Sequence, residues 1–265
     1  MNKKCKIVSV LCMLFLLAAV SHAQEATPDF SFEKKWSTGL GFEYFKTTIS
    51  WDEDSFVSPL KSYLMTFHIS YRILEDLNLG GIIGYASSDF ESLTFRELPL
   101  SLILDKGAIG GFLLGGEADF TFYKTNNLDF SVSGQYTYYF GREKQWNIPG
   151  LAVEGSATGK PKWSRLTLGG SIKYTAANPF LPYLTVAYRS LSGSFELEES
   201  IQSLNRREEK DISGVGNLMI GVGGIYKLSD ILRFHLEADF TPYGSGDNYD
   251  SGVDFSALLR IMYSF

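Results

Sequence analysis

The two histidines beyond the first 23 residues, His68 and His235, are the residues of this sequence best suited to acid–base chemistry. Histidine titrates near neutral pH, and a neighbouring carboxylate can orient its ring as a general base. Glu237 and Asp239 follow His235 at alternate positions and could supply that carboxylate. One hypothesis is therefore a hydrolase acting on lipid or peptide, with His235 or His68 as the general base.

The same residues also fit a purely structural interpretation. Residues at every second position of a strand share one face, and here that face alternates basic and acidic groups. With one base from the following strand, the set is Arg233, His235, Glu237, Asp239 and Arg260. Arg260 could reach Glu237 or Asp239 across the strand ladder. Because buried charges need partners, the pattern favours a charge network, and we assign no catalytic residue.

A second pair of carboxylates, Glu117 and Asp119, alternates in the same way. The pair could bind a cation, but the pattern favours ion pairing with the inward-facing bases Arg165 and Lys173. The glycine runs near this pair do not lead into a helical pattern, as a dinucleotide-binding site would require. We therefore predict neither a metal ion nor a cofactor.

The first 23 residues have the three parts of a secretory signal peptide. An apolar run over residues 7–20 precedes the small-residue sequence Ser21-His22-Ala23, and the basic start consists of Lys3, Lys4 and Lys6. We predict cleavage after Ala23, a lead-in over residues 24–35 and a single domain over residues 36–265. Both cysteines of the chain lie at positions 5 and 12, so the mature chain would have no thiol chemistry.

The charge balance argues against nucleic acid as a partner. The chain has 24 Lys and Arg against 30 Asp and Glu, a net charge of −6, and loss of the three leader lysines leaves 21 against 30, or −9. Nucleic-acid binding normally requires a basic patch or tail, and this sequence has neither. The acidic excess instead indicates a solvated surface.

Apolar and polar residues alternate with a period of two through most of the chain beyond residue 35, which predicts β-strands. The last strand is the clearest example, because its apolar face carries Phe255, Ala257, Leu259, Ile261, Tyr263 and Phe265. Aromatic residues recur near strand ends on the apolar face, as at Trp36, Tyr63, Tyr71, Tyr85, Tyr174 and Phe240. This pattern favours an all-β transmembrane barrel, an antiparallel up-and-down barrel with lipid around it, over a soluble sandwich.

The strand number should be even in such a barrel. Twelve strands are favoured, ten are the alternative, and eight are less well supported. The twelve-strand count uses the alternating Leu98, Leu100, Leu102 and Leu104 together with residues 146–153, whereas ten strands would leave the leucines in a loop. In either case we expect residues 52–59, 87–94, 192–214 and 243–251 on the extracellular side, with the mixed charges of 192–214 in a solvated loop.

The leader, the alternation and the ending Tyr263-Ser264-Phe265 together resemble the bacterial outer-membrane β-barrel superfamily, which includes outer-membrane protein A-like and X-like barrels. The resemblance implies export to the outer membrane of a Gram-negative cell. It implies that Phe265, Tyr263 and Ile261 form a signal read by the barrel-assembly machinery, with periplasmic chaperones as transient partners. It also implies contact with outer-membrane lipids and lipopolysaccharide.

The resemblance specifies a fold and a location but no activity. The sequence lacks a recognisable nucleophile motif, and the histidines are expected deeper in the barrel than the catalytic groups of the omptin proteases. We therefore predict a non-enzymatic protein with a structural or surface-interaction role, or a narrow pore. The hydrolase remains the alternative.

Overall fold

The structure, a computed structural model, describes residues 35–51, 57–90, 93–95, 102–104, 107–147, 155–201, 204–215, 218–241 and 254–265. The predicted signal peptide and lead-in lie almost wholly outside the described residues. The compact unit that remains runs from Lys35 to Phe265. Its strands are β1 (Trp36–Trp51), β2 (Val57–Leu74), β3 (Leu77–Phe90), β4 (Leu93–Phe95), β5 (Leu102–Leu104), β6 (Ile109–Lys124), β7 (Leu128–Gly141), β8 (Lys144–Asn147), β9 (Gly155–Tyr174), β10 (Phe180–Ile201), β11 (Leu204–Gly214), β12 (Leu218–Lys227), β13 (Leu232–Phe240) and β14 (Phe255–Ser264).

Twelve of these strands form one antiparallel sheet, and ten of the twelve close into a ring. The ring runs β1-β2-β3-β6-β7-β9-β10-β12-β13-β14, and β14 returns to β1 with Ser264 opposite Ser37. The remaining two strands, β8 and β11, pair only at one end of the barrel. The all-β barrel is confirmed. The favoured count of twelve is the size of the sheet, and the alternative of ten is the size of the closed ring.

Two candidate strands, the alternating leucines over 98–104 and residues 146–153, distinguished the count of twelve from the count of ten. The structure treats them differently. Leu102 and Leu104 lie in β5, which pairs with β4 in a separate two-stranded sheet and contributes nothing to the ring, while Leu98 and Leu100 lie outside the described residues. The candidate strand over 146–153 is represented by β8, whose Trp146 pairs with Ala157 of β9. A strand of four residues extends the wall locally but is too short to cross a bilayer.

One end of the barrel has only short connections. β2–β3, β6–β7, β9–β10 and β12–β13 are joined there through residues 75–76, 125–127, 175–179 and 228–231, whereas at the other end residues 52–56 join β1 to β2 and the remaining connections are longer or carry additional strands. Short turns face the periplasm and long connections face outward in bacterial barrels. By this rule, we expect the end that carries β8 and β11 to be the extracellular end.

We call the part of the barrel wall that faces the hydrocarbon core of the membrane the lipid belt. The three shortest ring strands define its height. β12, β13 and β14 have 10, 9 and 10 residues, which matches the 9–11 residues of a tilted strand that crosses the hydrocarbon core. Side chains on the outer face at this height are apolar and exposed, including the predicted aromatic positions Trp36, Tyr63, Tyr85, Tyr174 and Phe240. Lipid can therefore surround this part of the barrel. Within the described ranges, no helix is long and apolar enough to cross a membrane.

The other ring strands are longer and extend beyond the lipid belt. β1, β2, β9 and β10 have 16, 18, 20 and 22 residues. Above the belt the side-chain pattern inverts, because polar residues such as Lys46 and Lys162 face outward while Phe45 and Trp163 point inward and are fully buried. We call the strand ends above the belt, together with β8 and β11, the extracellular hood.

The segment 192–214 belongs to this hood and corrects a prediction. We expected a solvated loop, but its residues form the upper half of β10 and the whole of β11 in one hairpin. β11 also pairs with β1, where Ile49 lies opposite Gly214. β11 thus closes the wall between β10 and β1 in the hood, above the ends of β12, β13 and β14. The mixed charges did not indicate a loop because they lie on two paired strands, where Arg207 and Glu196 contact each other on the outward face at 2.6 Å, whereas Glu199 and Glu208 are buried.

Candidate functional site

The inside of the hood is filled by apolar side chains from opposite walls. Phe45 on β1 and Trp163 on β9 are five places apart in the ring of ten, and their ring centroids lie 5.6 Å apart. Phe90 on β3 and Phe195 on β10 meet at 5.3 Å. We call this cluster the apolar plug; it comprises Phe45, Ile49, Trp51, Leu60, Leu64, Ile82, Ala86, Phe90, Ile109, Leu113, Tyr139, Ala157, Trp163, Leu191, Phe195, Leu197 and Ile212.

The plug also satisfies the polar atoms that it buries. The Trp163 indole N–H donates to Ser88 Oγ at 3.1 Å, and the Tyr139 hydroxyl donates to the Ile109 carbonyl oxygen at 2.6 Å. Buried aromatic groups with a polar atom need such partners. The hood therefore has the interior of a water-soluble barrel, although the same strands have a polar interior lower down.

A salt bridge spans the lumen beside the lower residues of the plug, where Glu43 lies opposite Leu64 in the β1–β2 ladder. Arg165 Nη1 and Nη2 donate to Glu43 Oε1 and Oε2 at 2.6 and 2.7 Å, and the Arg165 side chain is only 2% exposed. The Arg165 guanidinium carbon also lies 4.8 Å from the centroid of the Phe45 ring. Because β1 and β9 are opposite in the ring, this bidentate pair joins the two walls. The sequence placed Arg165 inward but associated it with Glu117 and Asp119, not with Glu43.

His68 is part of a chain of four side chains in the lumen. Its Nδ1 lies 3.2 Å from Glu117 Oε1, and its Nε2 lies 2.9 Å from the Thr66 hydroxyl. Arg260 Nη1 contacts the other oxygen of Glu117 at 3.2 Å. Since a carboxylate only accepts, His68 donates through Nδ1 to Glu117. The Thr66 hydroxyl also lies 3.3 Å from the Gly41 carbonyl oxygen, to which it can donate, so its single proton is not reserved for His68 Nε2. Space for Glu117 comes from Gly80, where a Cβ would lie 2.9 Å from Glu117 Cγ.

The two acidic residues predicted beside His235 have other partners. The Tyr183 hydroxyl donates to Glu237 Oε2 at 2.7 Å. Asp239 Oδ2 accepts from the Ser256 hydroxyl at 2.8 Å and lies 3.7 Å from Arg189 Nη2. Both carboxylates are thus held by the neighbouring walls of the lumen.

The predicted reach of Arg260 toward Glu237 or Asp239 is wrong. Arg260 lies directly opposite His235 in the β13–β14 ladder, while Glu237 lies opposite Leu258. The long Arg260 side chain crosses the lumen instead and contacts Glu117 of β6. Strand alternation fixes which side chains enter the lumen, but the curvature of the wall decides which of them meet.

Of the five predicted network residues, three have identified polar partners, namely Glu237, Asp239 and Arg260. Arg233 and His235 share their inward face, and in the described part of the chain neither side chain forms a hydrogen bond or an ion pair. Among the same residues no cluster of three or more His, Cys, Asp or Glu side chains could hold a metal ion. Thr66, Tyr183, Arg189 and Ser256 were not assigned to the network from the sequence, although they stand at alternate inward positions.

Thr66, His68 and Glu117 contact one another in the sequence expected of a nucleophile, a general base and an orienting acid. Its location limits what it can do. Thr66 is 7% exposed and His68 is 2% exposed, so a substrate carbonyl or phosphoryl group cannot reach the hydroxyl without displacement of neighbouring side chains. Each of the four side chains has a partner, although Arg260 Nε is buried without a hydrogen bond, and the arrangement is equally that of an interior polar network.

The proposed assembly residues lie on the outer face of the closing strand. Ile261, Tyr263 and Phe265 all point toward lipid, and the Tyr263 and Phe265 rings lie 6.1 Å apart. The Phe265 N–H donates to the Trp36 carbonyl oxygen at 2.9 Å, and the Trp36 N–H donates back at 3.2 Å. The terminal residue thus closes the first and last strands at the periplasmic girdle.

Comparison with known proteins identifies the fold and no closer relationship. No family model and no curated protein matches the chain. Among solved structures, the translocator domain of the autotransporter NalP from Neisseria meningitidis matches with a TM-score of 0.50 at 10% identity, covering 99% of this chain and 98% of that chain. The outer-membrane protease OmpT from Escherichia coli matches with a TM-score of 0.48 at 12% identity, covering 91% and 100%. The protein has the fold of the outer-membrane β-barrel proteins.

Proposed function

We propose that the protein is a non-enzymatic, non-conducting outer-membrane barrel that holds its extracellular hood at the cell surface for interaction with other molecules. The observation that carries the proposal is contact between opposite walls at two successive levels. Phe45 meets Trp163 within the hood, and Glu43 meets Arg165 below it. Side chains that bridge the lumen at two levels obstruct a water-filled path, so this geometry favours the surface-interaction role over the narrow pore.

Conductance in planar lipid bilayers tests the proposal. We expect the full chain to insert without stable current steps. The double variant Phe45→Ala/Trp163→Ala removes both aromatic rings that meet across the lumen and should produce measurable conductance if it folds. Stable ohmic steps from the unaltered protein would contradict the proposal.

A matched control separates the plug from a general loss of stability. Trp36→Ala removes an aromatic ring of the same kind from the lipid-facing girdle, where it forms no part of the plug. This variant should remain silent in the same bilayer assay. Heat-modifiability on SDS gels verifies that each variant is folded before its conductance is measured.

A second candidate, a hydrolase, is favoured by one specific observation. Thr66, His68 and Glu117 have the mutual distances of a nucleophile, a base and an orienting acid. His235, the other base considered, has no hydrogen-bonded carboxylate among the described residues. If the hydrolase proposal holds, hydrolysis of lipid or peptide substrates would be lost in folded His68→Gln and Thr66→Val proteins but retained in His235→Ala. We expect no turnover by the unaltered protein.

We also propose that the chain reaches the outer membrane as the leader sequence suggests. Residues 1–23 would direct export and be removed, and periplasmic chaperones and the barrel-assembly machinery would then act on the C-terminal strand. What supports this is the combination of the leader with an outward row of Ile261, Tyr263 and Phe265 on β14.

A further inference from the structure

One part of the lumen wall carries polar side chains that have no partner inside the protein. They stand at neighbouring inward positions of β6, β7, β9 and β10, between the salt bridge of Glu43 with Arg165 and the end of the barrel with short connections. Across the ranges that the structure describes, none of them forms a hydrogen bond or an ion pair. We call this set the hydroxyl wall; it comprises Asp119, Ser133, Gln135, Thr167, Ser171 and Thr185.

The strand register makes the hydroxyl wall continuous. Asp119 lies directly opposite Ser133 in the β6–β7 ladder, and Ser171 lies opposite Thr185 in the β9–β10 ladder. Between these two pairs, Gly169 lies opposite Ser133 in the β7–β9 ladder and has no side chain to cover the wall. Asp119 and Ser133 are exposed although they point inward, so solvent reaches the hydroxyl wall from within the lumen.

Hydroxyl groups on the strands across the lumen are used differently. The Ser37 and Ser70 hydroxyls of β1 and β2 bond to each other at 2.7 Å, and the Ser256 hydroxyl of β14 donates to Asp239 at 2.8 Å. Polar groups of a folded protein are rarely left without a hydrogen-bond partner. The hydroxyl wall therefore faces either water or a ligand with many hydrogen-bonding groups.

Tyr183 adds a flat aromatic surface at the edge of the hydroxyl wall. It precedes Thr185 by two residues on β10, so both side chains face the lumen. Its ring occupies the space that a side chain at Gly223 of β12 would need, which lays the ring along the wall of the barrel. The Tyr183 hydroxyl donates to Glu237 at 2.7 Å and holds the ring in this orientation. One face of the ring is therefore directed toward a molecule in the lumen.

We propose that the hydroxyl wall and Tyr183 bind a neutral saccharide of two or three rings, which enters from the end of the barrel with short connections. Hydroxyl, amide and carboxylate groups match the donors and acceptors of a sugar, and the C–H face of a sugar ring packs on an aromatic ring. Three strand spacings separate Tyr183 on β10 from Asp119 on β6, about 14 Å, a distance that two or three sugar rings span.

The charges around the wall favour a neutral ligand over an ion. Asp119 lies under the influence of two cations, Lys173 and Arg260, and of the carboxylate of Glu117, so no single sign of charge dominates there. The inference goes beyond the proposed surface role, because the hydroxyl wall and the hood lie on opposite sides of the Glu43 salt bridge. It does not depend on whether the lumen conducts.

Isothermal titration calorimetry of the full chain in phosphatidylcholine nanodiscs, free of sugar-based detergent, tests the inference. Maltose, cellobiose and N,N′-diacetylchitobiose are the probes, and at least one of them should bind. Asp119→Asn should raise its Kd about tenfold, because a charge-assisted hydrogen bond is replaced by a neutral one. Tyr183→Leu should lose measurable binding, whereas Tyr183→Phe, which keeps the ring, should still bind. Asp76→Asn is the matched control, because it removes the same charge from the turn between β2 and β3, where Asp76 pairs with Lys124.

A second measurement keeps the test decisive if a Tyr183 variant does not fold. Both cysteines of the chain lie in the predicted leader, so Ser133→Cys would place a single thiol on the hydroxyl wall of the mature protein. The disaccharide that binds should slow the reaction of this thiol with a membrane-impermeant reagent, and glycine or inorganic phosphate should not. Failure of all three disaccharides to bind would overturn the proposal, as would equal weakening in Asp119→Asn and Asp76→Asn. Protection by glycine or phosphate alone would equally overturn it, since the wall would then hold an ion or a zwitterion.

Discussion

At the scale of single residues, the lumen is organised by pairs of charges that meet across it. Glu43 with Arg165 and Glu117 with Arg260 each join strands that are not neighbours in the ring. A charge removed from water is tolerated only when its partner and remaining hydrogen bonds are in place. These pairs therefore fix the distances between the walls of the barrel. Removal of one member of a pair should reduce the free energy of unfolding substantially.

The Glu43–Arg165 pair provides the sharpest test of this view. Arg165→Met leaves the Glu43 carboxylate buried without its partner and should reduce the free energy of unfolding by about 3–5 kcal/mol. Glu43→Met/Arg165→Met removes both charges and should cost much less. Urea unfolding in detergent micelles measures both values. The exposed ion pair of Arg207 and Glu196 offers the control. Arg207→Met should reduce the free energy of unfolding by no more than about 1 kcal/mol. Equal losses in the single and the double variant would mean that the charges are not energetically coupled.

At the scale of elements, the two ends of each long strand have different surroundings. The outer face of one end contacts lipid, and the outer face of the other contacts water. The lower part of β9 presents Ile172 and Tyr174 to lipid, whereas its upper part presents Lys160 and Lys162 to water and buries Trp163. A strand of 20 residues can do this because only about 9–11 are needed to cross the bilayer. The closing strand β14 and the β10–β11 hairpin each allow one prediction.

The terminal aromatic residue should matter more for assembly than its inward neighbour. Phe265→Asp places a charge on the lipid-facing girdle beside Tyr263, while Ser264→Asp places the same charge at the polar mouth of the lumen. We expect Phe265→Asp to reduce the amount of folded protein in outer membranes by a larger factor than Ser264→Asp. Quantitative blotting of membrane fractions, with heat-modifiability as the folding assay, gives both factors. Equal levels of the two variants would be inconsistent with this register.

The hairpin of β10 and β11 should contribute a small acid-sensitive stabilisation. The Ser194 hydroxyl and the Lys162 ammonium both donate to Glu209 Oε1, at 2.7 and 3.0 Å, and lower the pKa of the Glu209 carboxyl. A carboxyl with a lowered folded-state pKa stabilises the protein above its ordinary pKa of 4.5, and this is lost as pH falls through the lower value.

Because Glu209 is 42% exposed, solvent screening limits its contribution to about 0.2–1 kcal/mol. Glu209→Gln should therefore be less stable than the unaltered protein at pH 7, and the difference should shrink toward zero at low pH. Urea unfolding of both proteins across the acid range measures the difference. A difference that grows as pH falls would have the wrong sign for this mechanism.

At the scale of the whole molecule, the barrel has a polar interior and an apolar outer face within the lipid belt. In the hood, its interior is apolar. We propose that the protein is exported, and we expect the mature N-terminus to follow Ala23. N-terminal sequencing of protein recovered from outer membranes should begin at Gln24, whereas a protein that retains Lys3 would contradict the proposed leader. Ala23→Arg should slow processing, because a bulky charged residue does not fit a small-residue cleavage site.

The two-residue alternation of the sequence was sufficient to predict the strands and, within the lipid belt, the face of the wall to which their side chains point. Phe265, Tyr263 and Arg233 stand on their predicted faces because the two-residue period of a strand is a local property. The lipid-facing girdle also followed from local pattern. Inward positions of Glu43, His68 and Arg165 could be recognised in the same way.

Which inward residues meet, and where the lumen ends, depends on how the strands are arranged around the ring. The Glu43–Arg165 and Phe45–Trp163 contacts join β1 to β9, which are separated by half the ring, and they depend on strand order and stagger. For the same reason Arg260 contacts Glu117, not the acids of its own hairpin. The segment 192–214 became a hairpin because β1 and β10 offered pairing edges that no local pattern reveals. Local periodicity sets the direction of a side chain, whereas closure of the ring sets its partner.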